Sequence, residues 1–217
     1  MEKSVQQPIK IINFSQEDEA IISQMEIGEG VCLGICVEWF EKILDNQKEG
    51  YPSQEEIEKG YQLLPGNDLL FNGKELHAHF DRKYTQGTQV EKCLEYLKNN
   101  RFTFKKKLSI ITKDENSSNA YLINNDKIIC EKVFTSKPMW FLLLISCTDP
   151  KITGHALALF KHNKSDMVDF LDPNEGVTRV FSKEQLCEAI EERRKYYQET
   201  VWKAGVLFKK LLAFYGK

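Results

Sequence analysis

No stretch of this 217-residue chain stays apolar for long. The longest such run, Met139 to Ile145, falls far short of the roughly 18 residues a membrane-spanning helix needs, and it reads instead as a buried strand. The first eight residues, Met1 to Pro8, lack an apolar stretch ahead of a small-residue cleavage site, which argues against a cleaved secretory signal. Neither sign of charge dominates. Thirty Lys and Arg stand against 32 Asp and Glu, a net charge of −2, without the basic excess that nucleic-acid binding draws on, so no nucleic-acid partner is expected. There is no repeat and no Gly/Ser- or Pro-rich linker to divide the chain. The expectation is one folded unit over residues 29–217, preceded by an irregular or flexible segment over 1–28. The six cysteines, at 32, 36, 93, 130, 147 and 187, are scattered through a chain large enough to need no staples, and reduced thiols are expected.

What is present is enough for a core. Hydrophobic residues make up 41% of the chain, including 13 Phe, 8 Tyr and 3 Trp, which rules out wholesale disorder. Val31, Cys32, Ile35, Cys36, Trp39, Phe40, Ile43 and Leu44 recur at spacings of three and four, predicting a buried helix that starts close to Gly30. Ser53 with Glu56, and Thr88 with Glu91, fit capping boxes of two surface helices ending near Pro65-Gly66 and Asn99-Asn100. From Phe102 the period becomes strand-like, with a polar loop at 115–119. Further strands are predicted near 139–147, 154–161, 167–171 and 177–181, and the turn Asp172-Pro-Asn-Glu-Gly176 joins the last two. Short connections favour antiparallel pairing. Ser182 with Gln185 caps another helix, and Trp202 to Tyr215 mark a final amphipathic segment.

Three residues stand where chemistry is readily arranged. Cys32 opens the buried helix, where unpaired N–H groups and the helix dipole favour a thiolate, although an isolated cysteine at a helix start is more often a small core residue. His155 follows Gly154, which permits close backbone approach, at the head of a strand that would hold the imidazole rigidly; a lone histidine there is more often a structural one. Asp172 ends the next strand, from which a hairpin can return its carboxylate to the imidazole, fixing its tautomer; taken alone, Asp-Pro is an ordinary turn. Asn174 and Gly176 are explained by the turn itself.

Together these frames resemble a known family. Gly30-Val-Cys-Leu-Gly-Ile-Cys-Val-Glu-Trp39, Gly154-His-Ala156 and Phe170-Leu-Asp-Pro-Asn-Glu-Gly176 are similar to the three signature blocks of the YopT-type cysteine peptidases, bacterial effector proteases. The resemblance implies an α+β, papain-like catalytic domain with a helical lobe packed on an antiparallel sheet; the domain is expected over 29–217, the amphipathic pattern after Trp202 adding a C-terminal helical extension. It implies Cys32 as nucleophile, His155 as general base and then acid, and Asp172 as its orienting partner, with no metal or organic cofactor. It further implies a virulence protein secreted without a cleaved signal into a host cytosol, where its partner is a host protein substrate. The same residues also suit a deamidase, transglutaminase or deacylase, or a silent module that binds a host protein, because fold and triad do not choose the bond.

The places upstream of the nucleophile where papain-like enzymes commonly keep a Gln or Asn for the oxyanion hole hold Glu26 and Ile27 here. Gln24 is the remaining side-chain candidate beside the backbone N–H of Cys32. Cys32, Cys36, His77 and His79 are a weak basis for zinc, since no paired cysteine motif accompanies the histidines, which are expected in a solvated loop. The lysines and aromatics after Trp202 carry a side expectation of membrane association, and a monomer is expected.

Overall fold

The computed structural model describes residues 6–22, 31–45, 55, 58–59, 66–81, 88–100, 102–108, 126–137, 139–149, 154–162 and 166–216. Its centre is one seven-stranded antiparallel sheet in the order β1-β6-β5-β4-β3-β7-β2. The strands are β1 Ile9–Asn13, β2 Phe102–Leu108, β3 Trp140–Cys147, β4 His155–Lys161, β5 Val168–Asp172, β6 Gly176–Val180 and β7 Val206–Gly216. Helices α1 Gln16–Ile22, α2 Cys32–Asp45, α3 Gly66–Asp81 and α4 Gln89–Asn99 come before the central strands, and α5 Asp126–Thr135 and α6 Lys183–Tyr196 flank them in sequence. A π-helical turn, Tyr197–Val201, continues α6.

Alternation along the strands builds two cores. Ala156, Ala158 and Phe160 of β4 face a cluster containing α2, whereas Leu157 and Leu159 face one containing α5 and α6. The helix predicted from the spacing of apolar residues is α2. Ile35, Cys36, Trp39, Phe40 and Ile43 on it are fully buried, each side chain contributing about 1.5–3 kcal/mol. Aromatic rings fasten α2 to the sheet: Phe40 lies 5.1 Å from Trp140 on β3, and Trp140 lies 4.3 Å from Phe160 on β4. A Cβ on Gly34 would stand 1.8 Å from the carbonyl oxygen of Gly73, so the two glycines let α2 and α3 cross almost backbone to backbone. The capping box of Thr88 and Glu91 is complete, and Ser182 accepts from the Gln185 N–H at the start of α6.

Several elements differ from the expectation. Residues 9–13 and 16–22 are ordered as β1 and α1 rather than irregular, because β1 pairs with β6 across a bulge that interrupts its alternation. The C-terminal segment is not a helical extension. It is β7, an interior strand between β3 and β2. Leu144 pairs with Lys210 and Ile145 with Phe208, so Lys209 is an extra bulged residue. That bulge puts Phe208 and Leu211, three apart, on one face and so imitates a helical period. His77 and His79 lie on α3, not in a loop. The helix expected from Ser53 and Glu56 and the polar loop at 115–119 fall outside the described residues.

Candidate active site

Cys32 is the first residue of α2 and remains partly exposed. His155 is the first residue of β4, Asp172 the last of β5, and both are buried. The imidazole stands between the other two: its Nε2 lies 3.0 Å from Asp172 Oδ1, and the ring is close enough to the Cys32 sulfur for each to shift the other's titration. With Nε2 engaged by the carboxylate, Nδ1 is the nitrogen left for the thiol. Residues from three separate elements thus meet at the start of α2. Gln24, the side-chain candidate for the oxyanion hole, lies outside the described residues.

The electrostatics favour a charged pair. Burial pushes the Cys32 thiol up, but the charge and hydrogen bond of His155, with the backbone N–H groups of Ala156 and Leu33, outweigh it and bring the thiol below its ordinary value. Burial likewise opposes the imidazolium, yet the thiolate and Asp172 raise His155 to about 10. Asp172 is held below the usual carboxylate range despite its burial, first by the hydrogen bond and charge of His155, then by Asn174 N–H and Tyr197. One turn further along α2 the outcome is opposite. Cys36 is fully buried, its thiol donates to Ala156 O at 3.5 Å, and burial drives its pKa well above the ordinary value. A thiol aimed at a carbonyl is a packing group.

Tyr197 was not among the sequence candidates. It opens the π-helical turn, its ring stacks 4.9 Å from His155, and its hydroxyl reaches both Asp172 oxygens at 2.9 and 3.1 Å. π-Helical turns concentrate at functional sites, but no spacing in the sequence marks this one. Among the described residues no three His, Cys, Asp or Glu side chains gather as a metal site, and no helix is long and apolar enough to cross a membrane.

Comparison with known proteins adds the family. The sequence profile described as Yersinia/Haemophilus virulence surface antigen, that of the YopT-type cysteine peptidases, matches residues 8–200. The chain belongs to this family. YopT-type membership makes it a cysteine peptidase, in a family of bacterial virulence proteins. The crystal structure of the Pseudomonas avirulence protein AvrPphB is similar in fold, with a TM-score of 0.50 at 12% identity, over 85% of this chain and 90% of that one. The YopT-type chain therefore has the α+β, papain-like fold that its signature blocks imply. No curated protein matches its sequence.

Proposed function

We propose that the protein cleaves a host protein by covalent catalysis through Cys32, His155 and Asp172. The observation that carries this reading is the imidazole held between a part-exposed thiol at a helix N-terminus and a buried carboxylate. The thiolate attacks the scissile carbonyl, and the backbone N–H of Cys32 receives the developing oxyanion. His155 then protonates the leaving amine as the tetrahedral intermediate collapses to a thioester. A water deprotonated by His155 releases the acid and restores the thiolate. Asp172 stays ionised throughout and holds the ring.

Family membership supports a virulence protein exported from a bacterium and acting in the host cytosol. Cys32→Ala removes the nucleophile and leaves the fold. The expected outcome is loss of all peptide-bond cleavage, read by mass spectrometry of a cleaved substrate. Undiminished cleavage by correctly folded Cys32→Ala rejects the mechanism, and a one-dalton gain on glutamine without chain scission identifies a deamidase instead.

A further inference from the structure

Beyond the three residues assigned to catalysis, the structure contains a continuous hydrogen-bond chain around the site. It begins one residue before the nucleophile. The Val31 N–H donates to Gln16 Oε1 at 3.3 Å, and Gln16 Nε2 donates to Asn174 Oδ1 at 2.5 Å. Asn174 Nδ2 donates to Tyr197 Oη at 2.9 Å, and Tyr197 donates to Asp172. Asp172 then meets His155, which meets Cys32, and the circuit closes on the residue next to Val31. Gln16 is buried, and its own N–H also donates to Pro173 O at 2.8 Å.

The chain has one direction. A backbone N–H only donates, so Val31 requires the oxygen of Gln16 to face it, and the Gln16 amide must then present its nitrogen to Asn174. Asn174 is left with its nitrogen for Tyr197. The tyrosine's lone pair is thereby taken, and its proton has to point at the carboxylate. Asp172 also accepts from Asn174 N–H at 3.0 Å, so it is an acceptor on every side and requires an N–H from His155 Nε2. Nδ1 is then the nitrogen facing sulfur: it carries the second proton in the charged pair and is the base once the ring is neutral.

We propose that Gln16 is a positioning residue of the peptidase, setting the direction of this chain so that the Tyr197 proton is committed to Asp172. The proposal rests on the role given to Asp172 above. Gln16 touches no reacting atom; it acts from α1, through two intermediaries, on a residue 156 positions away by number (172 − 16). The titratable groups facing Asp172 are His155 from β4, Tyr197 from the π-helical turn, Cys36 from α2 and Lys10 from β1, with Cys32 beyond His155.

The test follows the Asp172 carboxyl carbon by NMR as the pH is lowered, in a Cys32→Ala background where no turnover is needed. Tyr197→Phe removes one donor to the carboxylate and is expected to raise its titration midpoint by about one pH unit. Gln16→Glu keeps the bond to Val31 but forces Asn174 to turn over and to draw the Tyr197 proton away. It is expected to raise the midpoint by a similar amount when Tyr197 is present, and by much less in Tyr197→Phe, because both changes remove the same bond. Gln16→Met, which adds no charge, moves it the same way by less and serves if the glutamate variant does not fold. With Cys32 restored, Gln16→Glu should lower kcat about tenfold at unchanged KM, the loss of one hydrogen bond to a charged group. An unmoved midpoint in both Gln16 variants, or equal increments with and without Tyr197, overturns the proposal. Absence of Cys32-dependent cleavage with the midpoints shifted as expected rejects the peptidase mechanism alone.

Discussion

His155 carries opposite obligations on its two ring nitrogens, and the pH behaviour of the reaction follows from them. On the proposed mechanism, activity is expected to appear as Cys32 ionises, below the ordinary thiol range, and to disappear as His155 loses its proton near 10. The expected kcat/KM profile is therefore a broad bell. Asp172→Asn removes a charge and a hydrogen bond that both raise His155, so the alkaline limb should move to lower pH while kcat/KM falls roughly 10²–10⁴-fold. A profile with an unmoved alkaline limb would contradict the assignment. Stability follows the sign of the carboxyl shift. The folded pKa of Asp172 lies below its unfolded value, so its contribution is whole above about pH 4 and is lost as the pH falls through the folded value.

Among the helices, α2 aims the proposed nucleophile, and its seat on α3 tolerates no side chain at the crossing. Gly34→Ala would force the two backbones apart, with an expected loss of about 1–3 kcal/mol in urea unfolding and a fall in kcat as Cys32 shifts with its helix. Thr88→Ala is the contrast. It removes the exposed cap of α4, away from the site, and should lower stability by about 1 kcal/mol with kcat unchanged. Strand β5 has a buried anchor of its own. Asp169 accepts from Arg179 Nε of β6 at 2.7 Å and lies 2.9 Å from His162, which follows β4. Asp169→Ala leaves Arg179 buried without this carboxylate and is expected to cost about 3–5 kcal/mol by denaturant titration.

Taken together, the sheet is a wall shared by two cores, and the site sits where strand ends from that wall meet the α2 N-terminus. The C-terminal strand is part of the wall. Truncation before Val206 removes β7 from between β3 and β2, exposing their edges and opening both clusters that its side chains enter. The expected product is insoluble or unfolded by circular dichroism, whereas a dispensable extension would leave a soluble enzyme. The amino-terminal residues are likewise structural. β1 extends the sheet beyond β6, and Gly176, at φ +90°, brings the turn after Asp172 so near β1 that a Cβ would lie 2.1 Å from Ile12 O.

Much of this was legible in the order of residues. The period of α2, the cap of α4, the strands from Trp140 to Val180 and the frames around Cys32, His155 and Asp172 are local patterns, set by contacts within a turn or a pleat. α3 was not legible, since Gly73 makes its closest contact without an apolar side chain, and neither was β7, whose bulge mimics a helix. Nor did any short pattern single out Gln16 or Tyr197. Gln16 gains its partner Asn174 from 158 residues away, and a hydrogen bond of that span has no trace in sequence spacing. Short-range chemistry thus named the groups proposed to react. Long-range packing oriented them, because the direction of a hydrogen bond depends on which distant donor arrives.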